Sequence, residues 1–289
     1  MTRKRIGLVG GSGLYGLPGL VVTEERTLET PFGAPSDAYV LGELSGVPVA
    51  FLARHGRKHT IPPSGINFRA NVWGFKKLSC SHLLSASACG SMKEAYAPTD
   101  IVLPDQFLDW TRGRLSTFFT EGCVAHVSFS HPVSTIVLDA LEKAAAKEGA
   151  RVHRGGVYLC MEGPQFSTKA ESLLYRSWGV DVIGMTNATE AKLCREAEIA
   201  YASMALVTDY DCWNEEHAAV TVDAVLAVLR KNAETANRVL AAAVLGLDPV
   251  APHEASDALR YAILTREEHV PPETRERLAL LAGRYWKGN

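Results

Sequence analysis

The chain has 289 residues, 47% of them hydrophobic and 21% charged, an ordinary globular composition with ample length for a large core. A net charge of -2 leaves no basic footprint for nucleic acid or an anionic membrane, and no run of 18 apolar residues predicts a membrane span. The six cysteines form no C-x-x-C pair and do not cluster with the nine histidines, so the thiols read as buried and free in a reducing cytoplasm, and no metal is expected.

The basic start, Met1 to Arg5, precedes an apolar stretch too short for a signal-peptide core. Arg5 to Val9 reads as a first strand. Gly10-Gly11-Ser12-Gly13-Leu14-Tyr15-Gly16 follows and contains a formal G-x-G-x-x-G. A dinucleotide site would need a helix there, and Leu17-Pro18-Gly19 breaks it. The better reading is a loop whose backbone N–H groups and Ser12 hydroxyl hold an anion. Val40 to Leu44 and Val47 to Leu52, split by Ser45-Gly46, predict a hairpin. Its second strand delivers Arg54, His55, Arg57, Lys58 and His59 around Gly56, a set suited to oxyanion capture. Ile66 to Leu78 predicts a helix with Phe68, Val72, Phe75 and Leu78 on one face.

His82 to Ser87 reads as a strand ending in small residues, Ser87-Ala88-Cys89-Gly90-Ser91, that let a ligand approach closely. Asp100 to Leu103 is a short buried strand, and Asp105 to Ser130 reads as loop. Helices are predicted over Pro132 to Lys147, Lys169 to Trp178, Ala188 to Glu196 and Thr221 to Leu245. Strands are predicted over Val157 to Met161 and Val180 to Met185. Ile199 to Val207 is nearly all apolar and reads as a buried strand of a parallel sheet. Asp209 and Asp211 follow it, where open α/β sheets bind ligands, and an extended backbone would point both to one side. Asp257 to Leu264 and Pro272 to Leu281 could be helices. The alternation of strands and helices predicts one α/β domain over 1–247 and a helical extension over 248–289.

Eight stretches, in order over about residues 5 to 245, carry a family resemblance: Ile6-Gly-Leu-Val-Gly-Gly-Ser-Gly-Leu14, Thr30-Pro-Phe-Gly-Ala-Pro-Ser36, Ala53-Arg-His-Gly-Arg-Lys-His-Thr60, Ala88-Cys-Gly-Ser91, Asp105-Gln-Phe107, Glu162-Gly-Pro-Gln-Phe-Ser167, Met185-Thr186 and Thr208-Asp-Tyr-Asp-Cys-Trp213. On these the chain resembles the 5′-methylthioadenosine phosphorylases within the trimeric purine nucleoside phosphorylases. The resemblance implies a single-domain nucleoside-phosphorylase-like α/β fold, with a mixed, partly barrel-like central sheet flanked by helices. It implies reversible phosphorolysis of methylthioadenosine to adenine and 5-methylthioribose 1-phosphate. Inorganic phosphate would be the co-substrate, with no other cofactor, and the assembly a homotrimer with sites at its interfaces. Phosphate would be held by Ser12, Arg54, His55, Ser87, the Ala88 backbone N–H and Thr186. Met185 would cover the ribose, and Phe166, Ser167, Asp209, Tyr210 and Asp211 would address the purine. Val222, Val225 and a neighbouring subunit's His126 would meet the 5′ end. The chain departs from the family pattern at Ser12, at Ala86-Ser87 and at Asn187-Ala188-Thr189, where the helix start differs.

The implied chemistry assigns the acids different tasks. A leaving purine becomes an anion unless N7 gains a proton, and Asp209 is the expected donor, helped by burial and a second carboxylate nearby. Asp211 would accept from the N6 amino group of adenine and so reject a 6-oxopurine. The alternatives are a phosphorylase of 6-oxopurine nucleosides or methylthioinosine, and a non-catalytic nucleotide-binding protein of the same fold.

Overall fold

The near-continuous apolar runs become central strands because helices cover both of their faces. A computed structural model describes residues 3–11, 16–214 and 222–286. Its eleven strands form one mixed sheet built around β5 (Cys80–Ser91), which is long enough to serve two neighbourhoods. The first part of β5 lies between β1 (Arg5–Gly10) and β11 (Ala200–Asp209), parallel to both. Its last residues instead pair antiparallel with β10 (Val182–Gly184), Ile183 opposite Gly90. The sheet therefore branches at β5.

On one branch the order continues from β1 to β4 (Val47–Ala53), β3 (Tyr39–Leu44) and β2 (Leu20–Arg26). On another, β10 leads to β9 (Val157–Met161) and β7 (Gln106–Trp110). β11 continues to β6 (Ile101–Leu103) and β8 (Val152–Arg154). β2, β7 and β8 have no counterpart in the sequence reading. β2 and β7 are edges with little burial: Val21 and Val22 of β2 are 66% and 53% exposed, and β7, whose burial alternates, leaves Leu108 and Trp110 exposed and half-covers Asp109, so neither alternates apolar-in and polar-out in sequence.

One face of the sheet packs Leu8, Phe51, Leu84 and Met204 against α2 (Thr135–Lys147) and α5 (Val222–Leu245). The other packs Val9, Leu52, Leu83 and Tyr201 with α1 (Phe68–Lys77) and α4 (Asn187–Glu196). Asn67 caps α1 by accepting the Ala70 N–H, and Thr168 and Glu171 form a capping box at the start of α3 (Lys169–Ser177). The expected helix over Asp257 to Leu264 is not formed. Ala258, Arg260 and Ala262 each donate to the carbonyl three residues back, a run of turns, and Ile263 then bridges antiparallel to Ala125. α6 (Pro272–Ala282) follows, and Leu259, Leu278, Leu281 and Trp286 join the buried set around α1 and α4. No described helix is long and apolar enough to cross a membrane.

Candidate active site

Four parallel strands, β4, β1, β5 and β11, point their C-terminal ends to one edge of the sheet. That edge collects Gly10, Arg54, Ser87 and Asp209 from distant parts of the sequence. β10 runs back along β5, so Met185, Thr186 and Asn187 arrive beside Ala88 and Ser87. The Ser87 hydroxyl donates to Asn187 Oδ1 at 3.0 Å and the Thr186 hydroxyl to the same oxygen at 2.9 Å. Thr186 is also the N-cap of α4, so the positive end of a ten-residue helix faces this corner. The departure at Asn187-Ala188-Thr189 thus leaves the helix start in place and supplies an amide that gathers two hydroxyls.

Arg54 is 1% exposed and its guanidinium is committed inward. It makes a bidentate pair with the buried carboxylate of Glu190, Nε to Oε1 and Nη2 to Oε2. Nη2 also donates to Ser85 Oγ at 2.6 Å and Nη1 to the Ala86 carbonyl at 3.1 Å. Among the described residues four of its five N–H donors therefore have partners, and the fifth is on Nη1. Burial works against the charge, but Glu190 outweighs it and holds the Arg54 pKa above its usual value. His55 is half-buried; burial first, and then the Arg54 charge, pushes its pKa down to about 4. Its Nδ1 lies 2.8 Å from the Ile61 carbonyl, which only accepts, so the proton sits on Nδ1. Nε2 is then a lone pair, suited to accept the O–H of a monoprotonated phosphate.

The acids lie three residues further along β5. Asp209 is paired in register with Gly90, after an irregularity that frees Thr208 from the ladder. A Cβ on Gly90 would stand 3.2 Å from Asp209 Oδ1 and 3.3 Å from Asp211 Cβ, so glycine leaves both acids room to close over the strand and a side chain there would push them back by a few tenths of an ångström. Their shared side has a different cause from the one expected. The strand stops at Asp209, and Asp211 opens a single 3-10 turn with φ +50°. Asp209 shapes that turn, accepting the Asp211 N–H at 2.8 Å on one oxygen and the Thr208 hydroxyl at 2.6 Å on the other. The Ser172 hydroxyl, fully buried on α3, donates to Asp211 Oδ2 at 2.5 Å. Burial raises the Asp211 pKa, with the Asp209 charge adding to it and the Ser172 bond opposing. From Ser87 to Gly90 is three strand residues, about 10 Å at ~3.3 Å each, which is the span of a nucleoside with a phosphate at one end.

β9 and β10 are parallel, so the loop after Met161 lies beside Met185. Gly163 permits this, since a Cβ there would stand 2.5 Å from Met185 Sδ. Arg114, absent from the sequence reading, ties the two loops together. Its Nε donates to the Glu162 carboxylate at 3.1 Å, Nη2 to the Glu162 carbonyl at 2.6 Å and Nη1 to the Met185 carbonyl. Ser167 reaches the acid turn through the Cys212 thiol, which donates to its carbonyl at 3.3 Å. Phe166 is 83% exposed and open to a ligand, whereas the Tyr210 ring packs edge-on against Trp213. His126 is exposed, and its N–H donates to Ala262 of the C-terminal segment. Ser12 and the side chains of Val222 and Val225 lie outside the described residues. Among the described residues no group of acids, histidines and cysteines could hold a metal ion.

Glu190, Ser85, Tyr201, Ser172 and Arg114 were not singled out from sequence. Only Glu190 carried a signal, standing four residues after Thr186 and so one helical turn behind the strand end.

The phosphorylase superfamily pattern matches residues 5–245. The S-methyl-5'-thioadenosine phosphorylase of Koribacter versatilis is 54% identical over 284 residues, 98% of this chain and 97% of that one. A methylthioadenosine phosphorylase crystal structure from an antarctic soil metagenomic library superposes with a TM-score of 0.93 at 46% identity, covering 97% of this chain and 99% of that one. The methylthioadenosine phosphorylase of Schistosoma mansoni, solved with adenine, gives a TM-score of 0.80 at 37% identity over 84% of this chain and 91% of that one. The chain therefore belongs to the phosphorylase superfamily and, within it, to the S-methyl-5'-thioadenosine phosphorylases.

Proposed function

We propose that the chain catalyses reversible phosphorolysis of S-methyl-5'-thioadenosine, giving adenine and 5-methylthioribose 1-phosphate in purine and methionine salvage. The observation that carries this reading is the layout along β5: a hydroxyl and guanidinium corner at Ser87, and a pair of acids over Gly90. The adenine seen in the Schistosoma mansoni relative supports a 6-aminopurine at the acid end.

In this reading Ser12, Arg54, His55, Ser87, the Ala88 N–H and Thr186 hold inorganic phosphate, the co-substrate, and no metal or organic cofactor takes part. Met185 covers the ribose. Phe166, Ser167 and Tyr210 frame the purine. Val222, Val225 and His126 of a neighbouring subunit enclose the methylthio end, which makes the working unit a cytoplasmic homotrimer. The C–N bond breaks towards a cationic sugar, and phosphate attacks from the opposite face. Asp209 supplies the proton that N7 needs as electrons move onto the purine, a form of help worth ~10²–10⁴ in rate. Asp211 accepts from N6 through its carboxylate, one oxygen of which Ser172 fixes.

One observation keeps a 6-oxo substrate in the test. A protonated Asp211 would donate to a 6-oxo group, and burial moves it in that direction. The experiment is release of free base from methylthioadenosine, methylthioinosine and inosine, each with and without phosphate. Phosphate-dependent adenine release that dominates the panel is the expected result. Dominance of an oxo substrate, or binding with no release, would refute the reading.

A further inference from the structure

We propose that Glu190 is a positioning residue whose carboxylate compensates the charge of Arg54, so that phosphate bound beside the pair keeps its own negative charge for the transition state. The inference rests on the phosphorolysis reading and deepens it. Its geometry is a closed set of four buried side chains from four elements: Arg54 after β4, Ser85 on β5, Glu190 on α4 and Tyr201 on β11. Glu190 Oε1 accepts from Arg54 Nε. Its Oε2 accepts from Arg54 Nη2 at 3.1 Å, from the Ser85 hydroxyl at 3.0 Å and from the Tyr201 hydroxyl at 3.0 Å. Oε2 thus holds three donors and Oε1 one, and the guanidinium is locked in one orientation.

Two consequences follow for an anion at the Ser87 corner. It meets a pair with no net charge instead of a free cation, so Arg54 contributes direction through Nη1 more than attraction. Its oxygens also keep the electron density that faces the developing oxocarbenium ion. An uncompensated Arg54 would hold ground-state phosphate more tightly and weaken its attack, which is uniform binding gained at the cost of transition-state stabilisation.

Glu190→Gln tests this, because it keeps the shape and removes the charge. The expected result is a phosphate KM lower by ~3–10-fold together with a kcat lower by ~10²-fold, the joint fall that marks lost ground-state tuning. Glu190→Asp restores the charge and should bring both parameters back towards the parent values. A merely structural role predicts the opposite sign, a raised phosphate KM with the fallen kcat, and that result or an unchanged KM overturns the proposal. Should Glu190→Gln fail to fold, Tyr201→Phe carries the test. It removes a neutral donor from Oε2 and concentrates the carboxylate on Arg54, so phosphate KM should rise ~2–3-fold with kcat unchanged or raised, whereas a merely structural loosening lowers kcat as KM rises. An unchanged or lower KM in Tyr201→Phe overturns the proposal. Absence of phosphate-dependent adenine release by the parent chain would instead strike the functional reading itself, so the two failures are distinguishable.

Discussion

Truncating Arg114 to alanine asks whether the loop after β9 and the Met185 turn are one mechanical unit. The guanidinium is 5% exposed and packs over the Phe68 ring at 5.6 Å. It holds the Glu162 carboxylate, the Glu162 carbonyl and the Met185 carbonyl at once. Hydrogen bonds to a charged group are each worth about 1.5–3 kcal/mol, and removing the donor strands the acceptors. The Glu162 side chain is 27% exposed, so water re-solvates part of it. The two carbonyls then dominate, and the loss of stability should be about 2–4 kcal/mol, or a fall in Tm of roughly 3–7 °C. Phe166 and Met185 would no longer share an anchor. A loss of about 1.4 kcal/mol in nucleoside binding corresponds to a tenfold rise in nucleoside KM. Phosphate KM should change far less, because Arg54, Ser87 and Thr186 do not touch Arg114. Steady-state phosphorolysis with each substrate varied in turn, beside a melting curve, measures all three quantities. Arg114→Lys keeps the charge without the fork and should show most of the same defect. Nucleoside and phosphate KM moving together, or neither moving, would refute the strut.

Asp209→Asn should lower kcat ~10²-fold or more with little change in phosphate KM if Asp209 supplies the N7 proton as proposed; single-turnover adenine release measures it, and an unchanged rate refutes that role. Asp211→Asn should raise the rate ratio of methylthioinosine to methylthioadenosine by ~10-fold or more, because an amide can donate to a 6-oxo group. Glu196 gives a pH signature. Burial pushes its pKa up from 4.5 to about 7, while the Phe118 N–H and Thr117 hydroxyl oppose that rise. The folded chain then binds more protons than the unfolded chain between those values. Its contribution is intact below pH ~4.5 and is lost as pH rises to 7, by at most about 3 kcal/mol. Denaturant unfolding at pH 5 and pH 8 should show this slope flattened in Glu196→Gln, and an identical slope in the two chains would reject it. His55, with its pKa near 4, tilts stability the other way, losing it as pH falls below 6.5, so the comparison is between chains at each pH.

The main elements were legible in the sequence where burial imposes a period. The run from Ile199, apolar on both faces, could only be a covered central strand, and β11 occupies it. The stripe of Phe68, Val72, Phe75 and Leu78 fixed α1 within two residues at its start. The strand-end residues Arg54, Ser87 and Asp209 were legible as well, because small, charged and hydroxylated residues just past an apolar run mark a ligand edge. Exposed edge strands such as β2 were not, since solvent on both sides demands no alternation. Residues 257–264 misled for a related reason: their apolar spacing serves a run of turns and a bridge to Ala125, and spacing alone does not record hydrogen-bond partners.

The sequence by itself determined which chemical groups stand at the edge of the sheet, since local pattern places strand ends. Only the tertiary structure decided what those groups face. Arg54 could be read as a free cation until Glu190, 136 residues away, was brought against it. Asp209 and Asp211 could be read as neighbours on one side of an extended strand until the strand stopped at Asp209, Asp211 opened a 3-10 turn over Gly90 and α3 aimed Ser172 at it. Charge compensation, burial and the direction of a hydroxyl depend on neighbours distant in the chain, and strand register and helix packing are what choose those neighbours.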